Sequence, residues 1–201
     1  MSLTDSIILA SGSAIRAQLL RNAAVKFDIV LPRVDEQAIR AGLLAENATP
    51  RDIADALAEA KARRVANRHP IALVIGCDQV LDFNGQIYAK PTSPADAITQ
   101  LQTLQGNSHT LHSAVVLYAN AAPVWRHIGQ VKMAMRPLSD VYIHDYVSRN
   151  WDSIQHSVGA YKIEEEGARL FTRTDGDYFS ILGLPLLDLL SYLIQRGTLA
   201  T

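Results

Sequence analysis

Asp78 closes an apolar run, Leu73-Val74-Ile75-Gly76-Cys77-Asp78-Gln79-Val80, and a separate segment, Ala10-Ser11-Gly12-Ser13-Ala14-Ile15-Arg16, sets two hydroxyls and a guanidinium behind another apolar stretch. A carboxylate ending a buried-type strand, beside a second strand that ends in small residues and an Arg, is how open α/β sheets build phosphate chemistry. The chain therefore reads as an enzyme. Ser11-Gly12-Ser13 joins strand to helix, and backbone N–H groups at a helix N-terminus favour an anion, although the same tripeptide also makes plain turns. Lys61 stands at the edge of an apolar helical stripe, where an ammonium either snorkels to water or reaches a phosphate. Lys90-Pro91 follows an Asn84-Gly85 turn that folds a basic residue back toward Asp78.

The elements that must position these groups follow from periodicity. Residues 6–10 form a short apolar strand and 16–23 a helix with Leu19 and Leu20 facing inward. Residues 27–31 are a second strand leading into Pro32-Arg33-Val34-Asp35-Glu36. Thr49-Pro50 starts a helix running to about residue 68, with Ile53, Leu57 and Val65 as its stripe. Residues 71–75 are a buried strand ending at Asp78, followed by the Asn84-Gly85 hairpin. Ser93-Pro94 opens a helix through Leu104 that Gly106 closes. Two long strands, 112–118 and 125–135, flank a turn at 120–123, and Ser139 caps a helix to about residue 149. Residues 159–164 read as a strand entering a charged turn, and 188–195 as an apolar C-terminal helix.

Composition narrows the class. At 201 residues the chain fits one medium domain, or two closely packed lobes if the antiparallel middle stands apart. Nineteen Lys and Arg against 20 Asp and Glu leave no electrostatic bias toward nucleic acid or an anionic membrane. The single cysteine, Cys77, excludes an intramolecular disulfide and a cysteine zinc cage, which suits a reducing cytoplasm. No signal-peptide pattern and no membrane-length apolar stretch is present, so a cytoplasmic protein with a small-molecule partner is expected. The histidines at 109, 112, 127, 144 and 156 lack ligand spacing and read as structural, and Trp125 and Trp151 as packing residues.

Together these strings resemble the Maf family of nucleoside triphosphate pyrophosphatases, over almost the whole chain. The resemblance rests on Leu9-Ala10-Ser11-Gly12-Ser13 with Arg16, Val34-Asp35-Glu36, Glu59-Ala60-Lys61-Ala62, Gly76-Cys77-Asp78-Gln79-Val80 and Lys90-Pro91. Gly106 with His109, Gly159-Ala160-Tyr161 and the stretch from Gly176-Asp177-Tyr178-Phe179 to Gly183-Leu184-Pro185-Leu186 complete it. It implies a mixed α/β sheet with flanking helices around a central nucleotide-binding cleft, in a protein that is frequently a homodimer. It also implies hydrolysis of a nucleotide between its α- and β-phosphates. Asp177-Tyr178-Phe179 is expected to shape the cleft floor.

A triphosphate carries about four negative charges, so attack at the α-phosphorus needs cations and a base that positions water. Arg16, Lys61 and Lys90 are the candidate cations, and Ser11 and Ser13 would hold phosphate oxygens. By the resemblance Asp78 accepts the proton of the attacking water, and Glu36 with Asp78 holds a divalent ion, magnesium or manganese. The bland alternative for each is a surface ion pair. Two positions depart from the family pattern: Ala14-Ile15 stands where Pro and a further basic residue are usual, removing one contact, and Ala89 replaces a Gly before Lys90-Pro91.

Members resembling this chain divide by the residue after the Asp and by one further on. Gln79 with Glu164 matches the 7-methyl-GTP type, whereas the dTTP and UTP type has Thr and Gln. A carboxylate accepts from guanine N1–H and the exocyclic amine and favours a cationic methylated base. The alternatives are a dTTP/UTP enzyme of the same family, a non-catalytic nucleotide-binding regulator of cell division, and, for Glu164, membership of a solvated acidic turn with Glu165 and Glu166. Ile15 stands where the 7-methyl-GTP type carries a Trp able to stack on the base.

Overall fold

The computed structural model describes residues 6–200. Seven strands form one mixed sheet: β1 (Ile7–Ala10), β2 (Asp28–Ile29), β3 (Leu73–Phe83), β4 (Gln86–Tyr88), β5 (Ser108–Ala119), β6 (Ala122–Met135) and β7 (Phe171–Asp175). Their order is β2-β1-β3-β5-β6-β7, with β4 pairing β3. β1 is parallel to both β2 and β3, and the other pairings are antiparallel. The helices are α1 (Ala14–Asn22), α2 (Glu36–Ala45), α3 (Pro50–Ala66), α4 (Pro94–Leu104), α5 (Asp140–Ile154), α6 (Tyr178–Ile181) and α7 (Leu186–Gln195).

Alternation along β3 sorts the core, because successive side chains point to opposite faces. Val74 and Val80 join Ile8, Ala114 and Val116 beneath Ile53, Leu57 and Val65 of α3. Ile75 and Cys77 face the other way, onto Leu19 and Leu20 of α1 and Leu189 and Leu193 of α7. Farther along that second face, Leu81, Leu111 and Met133 pack with Leu101 and Leu104 of α4 and Tyr146 of α5.

One topological feature makes the site. β3 pairs with β5 from Val74 to Asp82, so β1 and β4 both lie on its other edge. β1 ends at the Ala10–Gly76 pair, and β4 pairs with β3 only from Leu81, opposite Tyr88, onward. Between them the edge of β3 from 77 to 80 is left open.

Several expectations are corrected here. Asp78 lies inside β3, not at its end, because β5 carries the strand on to Asp82 after β1 has stopped, and β4 pairs it as far as Phe83. Residue 71 is highly exposed and precedes the strand. The second strand shrinks to Asp28–Ile29. Glu36 opens α2, a helix that the sequence reading did not mark, and Asp35 caps it by accepting from Ala38 N–H at 2.9 Å. Residues 159–164 are no strand: a 3-10 turn spans Val158–Ala160, and Gly159 and Ala160 both have positive φ (77° and 58°). Glu164 is therefore a loop residue. β7, mostly exposed and charged, was not expected.

Candidate active site

A cleft of about 850 Å³ opens at the unpaired edge of β3 and gathers Ser11, Ser13, Ile15, Arg16, Glu36, Lys61, Asp78, Gln79, Lys90 and Glu164. All ten candidates from the sequence thus share one cavity. Several elements place them. The turn after β1 supplies the hydroxyls, α1 supplies Arg16, α2 supplies Glu36, α3 supplies Lys61, and β3 supplies Asp78 and Gln79.

Lys61 and Asp78 form its buried centre. Lys61 Nζ donates to Asp78 Oδ1 at 2.6 Å and meets Glu36 Oε1 at 3.0 Å. Lys61 and Asp78 are 7% and 5% exposed, so the pair is shielded from the solvent screening that weakens surface ion pairs. Asp78 Oδ2 is buried without a hydrogen-bond partner. The reach of Lys61 depends on how closely α3 lies on β3. A Cβ at Gly76 would fall 2.3 Å from Ala58 O and 2.6 Å from Ala62 N, so only glycine admits the helix at this distance.

Arg16 is buried and fixed by carbonyls: Nε donates to Gly183 O at 2.8 Å and Nη1 to Cys77 O at 2.9 Å. The second bond caps the open β3 edge. Gly183, at φ 87°, is where α6 and α7 meet, and a Cβ there would lie 3.0 Å from the guanidinium. The signature stretch that contains Gly183 thus positions an arginine, and Asp177 caps α6 by accepting from Ser180 N–H at 2.7 Å.

Ser13 caps α1, and its own N–H donates to Ser11 Oγ at 3.2 Å. The turn is thereby preset with the α1 N-terminus toward the cavity, where the helix dipole favours an anion. Lys90 is open to solvent at the rim, yet desolvation and then the positive charge of Arg16 lower its pKa, with Lys61 adding to this and Glu36 and Asp78 opposing.

Gln79 points to the face opposite Asp78. Its amide nitrogen lies 2.9 Å from Ser113 Oγ and 3.1 and 3.0 Å from the carbonyls of Ser180 and Ile181. The group left to a ligand is its Oε1. Ile15 is half-buried and packs on the core beneath α1, giving the cavity an apolar wall without a charge. Glu164 separates from its acidic neighbours: Glu165 accepts from Ser153 Oγ, and Glu166 from Arg149 and Asn150. Both anchor the loop to α5, while Glu164 is exposed at the cavity.

Sequence reasoning missed several residues of the lining, Arg40, Lys162 and His156 among them. Arg40, one turn beyond Glu36 on α2, reaches the cavity, and its signal was hidden with the helix that carries it. His156, read as structural, lines the rim. His109 is structural as expected: buried, 2.6 Å from Tyr161 Oη, with its pKa pushed down to about 4 by desolvation. Cys77 is buried, and burial pushes its thiol up to about 11, so it is inert at neutral pH.

A divalent ion fits these donors. Asp78 offers a buried oxygen without a partner and Glu36 a second carboxylate. Among the described residues no cluster of three or more His, Cys, Asp or Glu exists, so the fit is to a hard ion that keeps waters and shares phosphate oxygens. Among the same residues no helix is long and apolar enough to cross a membrane.

Residues 6–196 match the Maf-like protein family. A protein of Ruegeria pomeroyi named nucleoside triphosphate pyrophosphatase is 60% identical over 199 residues, covering 99% of this chain and 100% of its own. One of the same name from Caulobacter vibrioides is 49% identical over 199 residues, 99% of both chains. A Rhizobium meliloti protein named 7-methyl-GTP pyrophosphatase is 45% identical over 193 residues, 96% of this chain and 97% of its own.

Proposed function

The chain belongs to the Maf-like protein family, and from that premise we propose that it is a nucleoside triphosphate pyrophosphatase, hydrolysing 7-methyl-GTP to 7-methyl-GMP and pyrophosphate. The observation that carries the reaction type is the buried Lys61–Asp78 pair at the open edge of β3, with Asp78 Oδ2 left unpartnered.

The nucleotide straddles that edge. Its reacting phosphate lies on the α3 face, beside Asp78, and its base on the opposite face, beside Gln79 and Glu164. Lys61 fixes Asp78 Oδ1, so Oδ2 is the oxygen that takes a proton from water as the water oxygen bonds to the α-phosphorus. The bond from that phosphorus to the α,β-bridging oxygen breaks, and pyrophosphate leaves with the electron pair. Arg16, Lys61 and Lys90 offset the charge, and the α1 N-terminus with Ser11 and Ser13 holds phosphate oxygens. A magnesium or manganese ion, held by Glu36 and Asp78, would supply further neutralisation of the phosphates.

Base choice rests on acceptors. Glu164 and Gln79 Oε1 suit the N1–H and amine of guanine, and the carboxylate suits the positive charge of the 7-methylated ring. Uracil and thymine offer fewer donors. The names of relatives such as the Rhizobium meliloti protein support the same choice.

We also place the enzyme in the cytoplasm, in keeping with a buried free thiol, and infer a homodimer. Exposed Ile29 on edge strand β2 and Leu31 just after it are apolar surface a second copy would cover. Light scattering checks this: a monomer mass at micromolar concentration contradicts it.

The reaction is tested by hydrolysis in 18O-labelled water. Label in the nucleoside monophosphate supports attack at the α-phosphorus, and label in pyrophosphate or release of single phosphate contradicts it.

A further inference from the structure

We propose that Arg40 binds the β- and γ-phosphates, the part of the substrate that leaves as pyrophosphate. The proposal rests on the pyrophosphatase reading of the same cleft.

Of the other cations of the cleft, Lys61, Arg16 and Lys162 already have protein partners, and Lys90 stands exposed to solvent at the rim. Lys61 is shared between Glu36 and Asp78, and Arg16 gives two of its nitrogens to carbonyls. Lys162 turns to Ser153 and Glu165. Arg40 lines the cavity, its Nε is buried without a hydrogen-bond partner, and among the described residues it makes no ion pair. A desolvated guanidinium nitrogen with no acceptor is costly, and a phosphate oxygen is the acceptor such a fork fits.

Its place in the fold says which phosphates. Ile39 and Leu43 hold α2 on the face of the sheet that carries α3, which is the face of Asp78. Ile163, next to Glu164, packs on the opposite side. Arg40 is thus on the phosphate side of the edge, away from the base. Residues 36 and 40 are one turn apart on α2, so the backbone of Arg40 lies about 6 Å along the helix axis from that of Glu36, the residue that meets Lys61. If the α-phosphorus sits at Asp78, a side chain offset in this way meets the phosphates beyond it.

The test uses Arg40→Ala, Arg40→Met and Arg40→Lys. Inhibition constants are measured for inorganic pyrophosphate and for 7-methyl-GMP, with KM for the triphosphate. Arg40→Ala should raise KM and the pyrophosphate constant on the order of tenfold or more, with the monophosphate constant unchanged and partial recovery in Arg40→Lys. Arg40→Met keeps the stem and gives the same readout if Arg40→Ala lowers Tm. A pyrophosphate constant within twofold of wild type, or an equal rise for the monophosphate, overturns the proposal while leaving the hydrolysis intact. If wild type hydrolyses no nucleotide, the pyrophosphatase reading fails. Calorimetric titration with inorganic pyrophosphate then decides Arg40 separately: weaker binding to Arg40→Ala supports it, and equal binding overturns it.

Discussion

Lys61 Nζ and Asp78 Oδ1 meet at 2.6 Å across the contact between α3 and β3, both side chains nearly excluded from solvent. The pair joins two elements whose distance is set by Gly76, and its second carboxylate oxygen has no protein partner.

Gly76→Ala should lower stability by about 1–3 kcal/mol, the usual cost of overpacking a tight contact. It should also lower kcat, because moving α3 off β3 separates Lys61 from Asp78. Urea unfolding and steady-state kinetics check this; an unchanged kcat contradicts the close-approach role.

Glu36→Gln should raise the magnesium concentration needed for half-maximal activity on the order of tenfold, since it removes one of two carboxylates while leaving Asp78 in place. Activity should vanish in chelator and return with added metal. Full activity in chelator contradicts the metal assignment.

Glu164→Gln should raise KM for 7-methyl-GTP on the order of tenfold and leave dTTP and UTP little changed, whereas Glu165→Gln should do neither. The contrast tests the separation of the two carboxylates, one at the cavity and one bound to Ser153. Unchanged turnover of 7-methyl-GTP in Glu164→Gln contradicts the base reading.

His109 makes stability fall with acid. Its folded pKa of about 4 lies below the ordinary value of 6.5, so the unfolded chain takes up a proton that the folded protein refuses. The contribution is full above about pH 6.5 and is lost as pH falls toward 4, on the order of 3 kcal/mol in all. Unfolding free energies at pH 7.5 and 5 should differ less in His109→Gln than in wild type, and an equal difference contradicts this.

What the sequence made legible was the chemistry more than its frame. Asp78, Lys61 and Arg16 stood in strings whose order is informative, and the cleft unites them. The frame was hidden where tertiary pairing decides. β3 outruns its apolar stretch because β5 supports it, so Asp78 is internal to a strand. Positive φ at Gly159 and Ala160 breaks what looked like strand alternation before Glu164. α2 was masked by Pro32 and by its polar first turn, although Asp35 as a cap and Ile39 with Leu43 carried a readable signal. Arg40 was lost with it.

The most direct measurement is pyrophosphate release from 7-methyl-GTP, GTP, dTTP, UTP and CTP with magnesium or manganese, comparing wild type with Asp78→Asn. The expected result is preference for 7-methyl-GTP, with a loss of about a hundredfold or more in the variant. Preference for dTTP or UTP would keep the mechanism and discard the base assignment, whereas release that Asp78→Asn leaves unchanged, or none from any nucleotide, would contradict the catalytic role of Asp78.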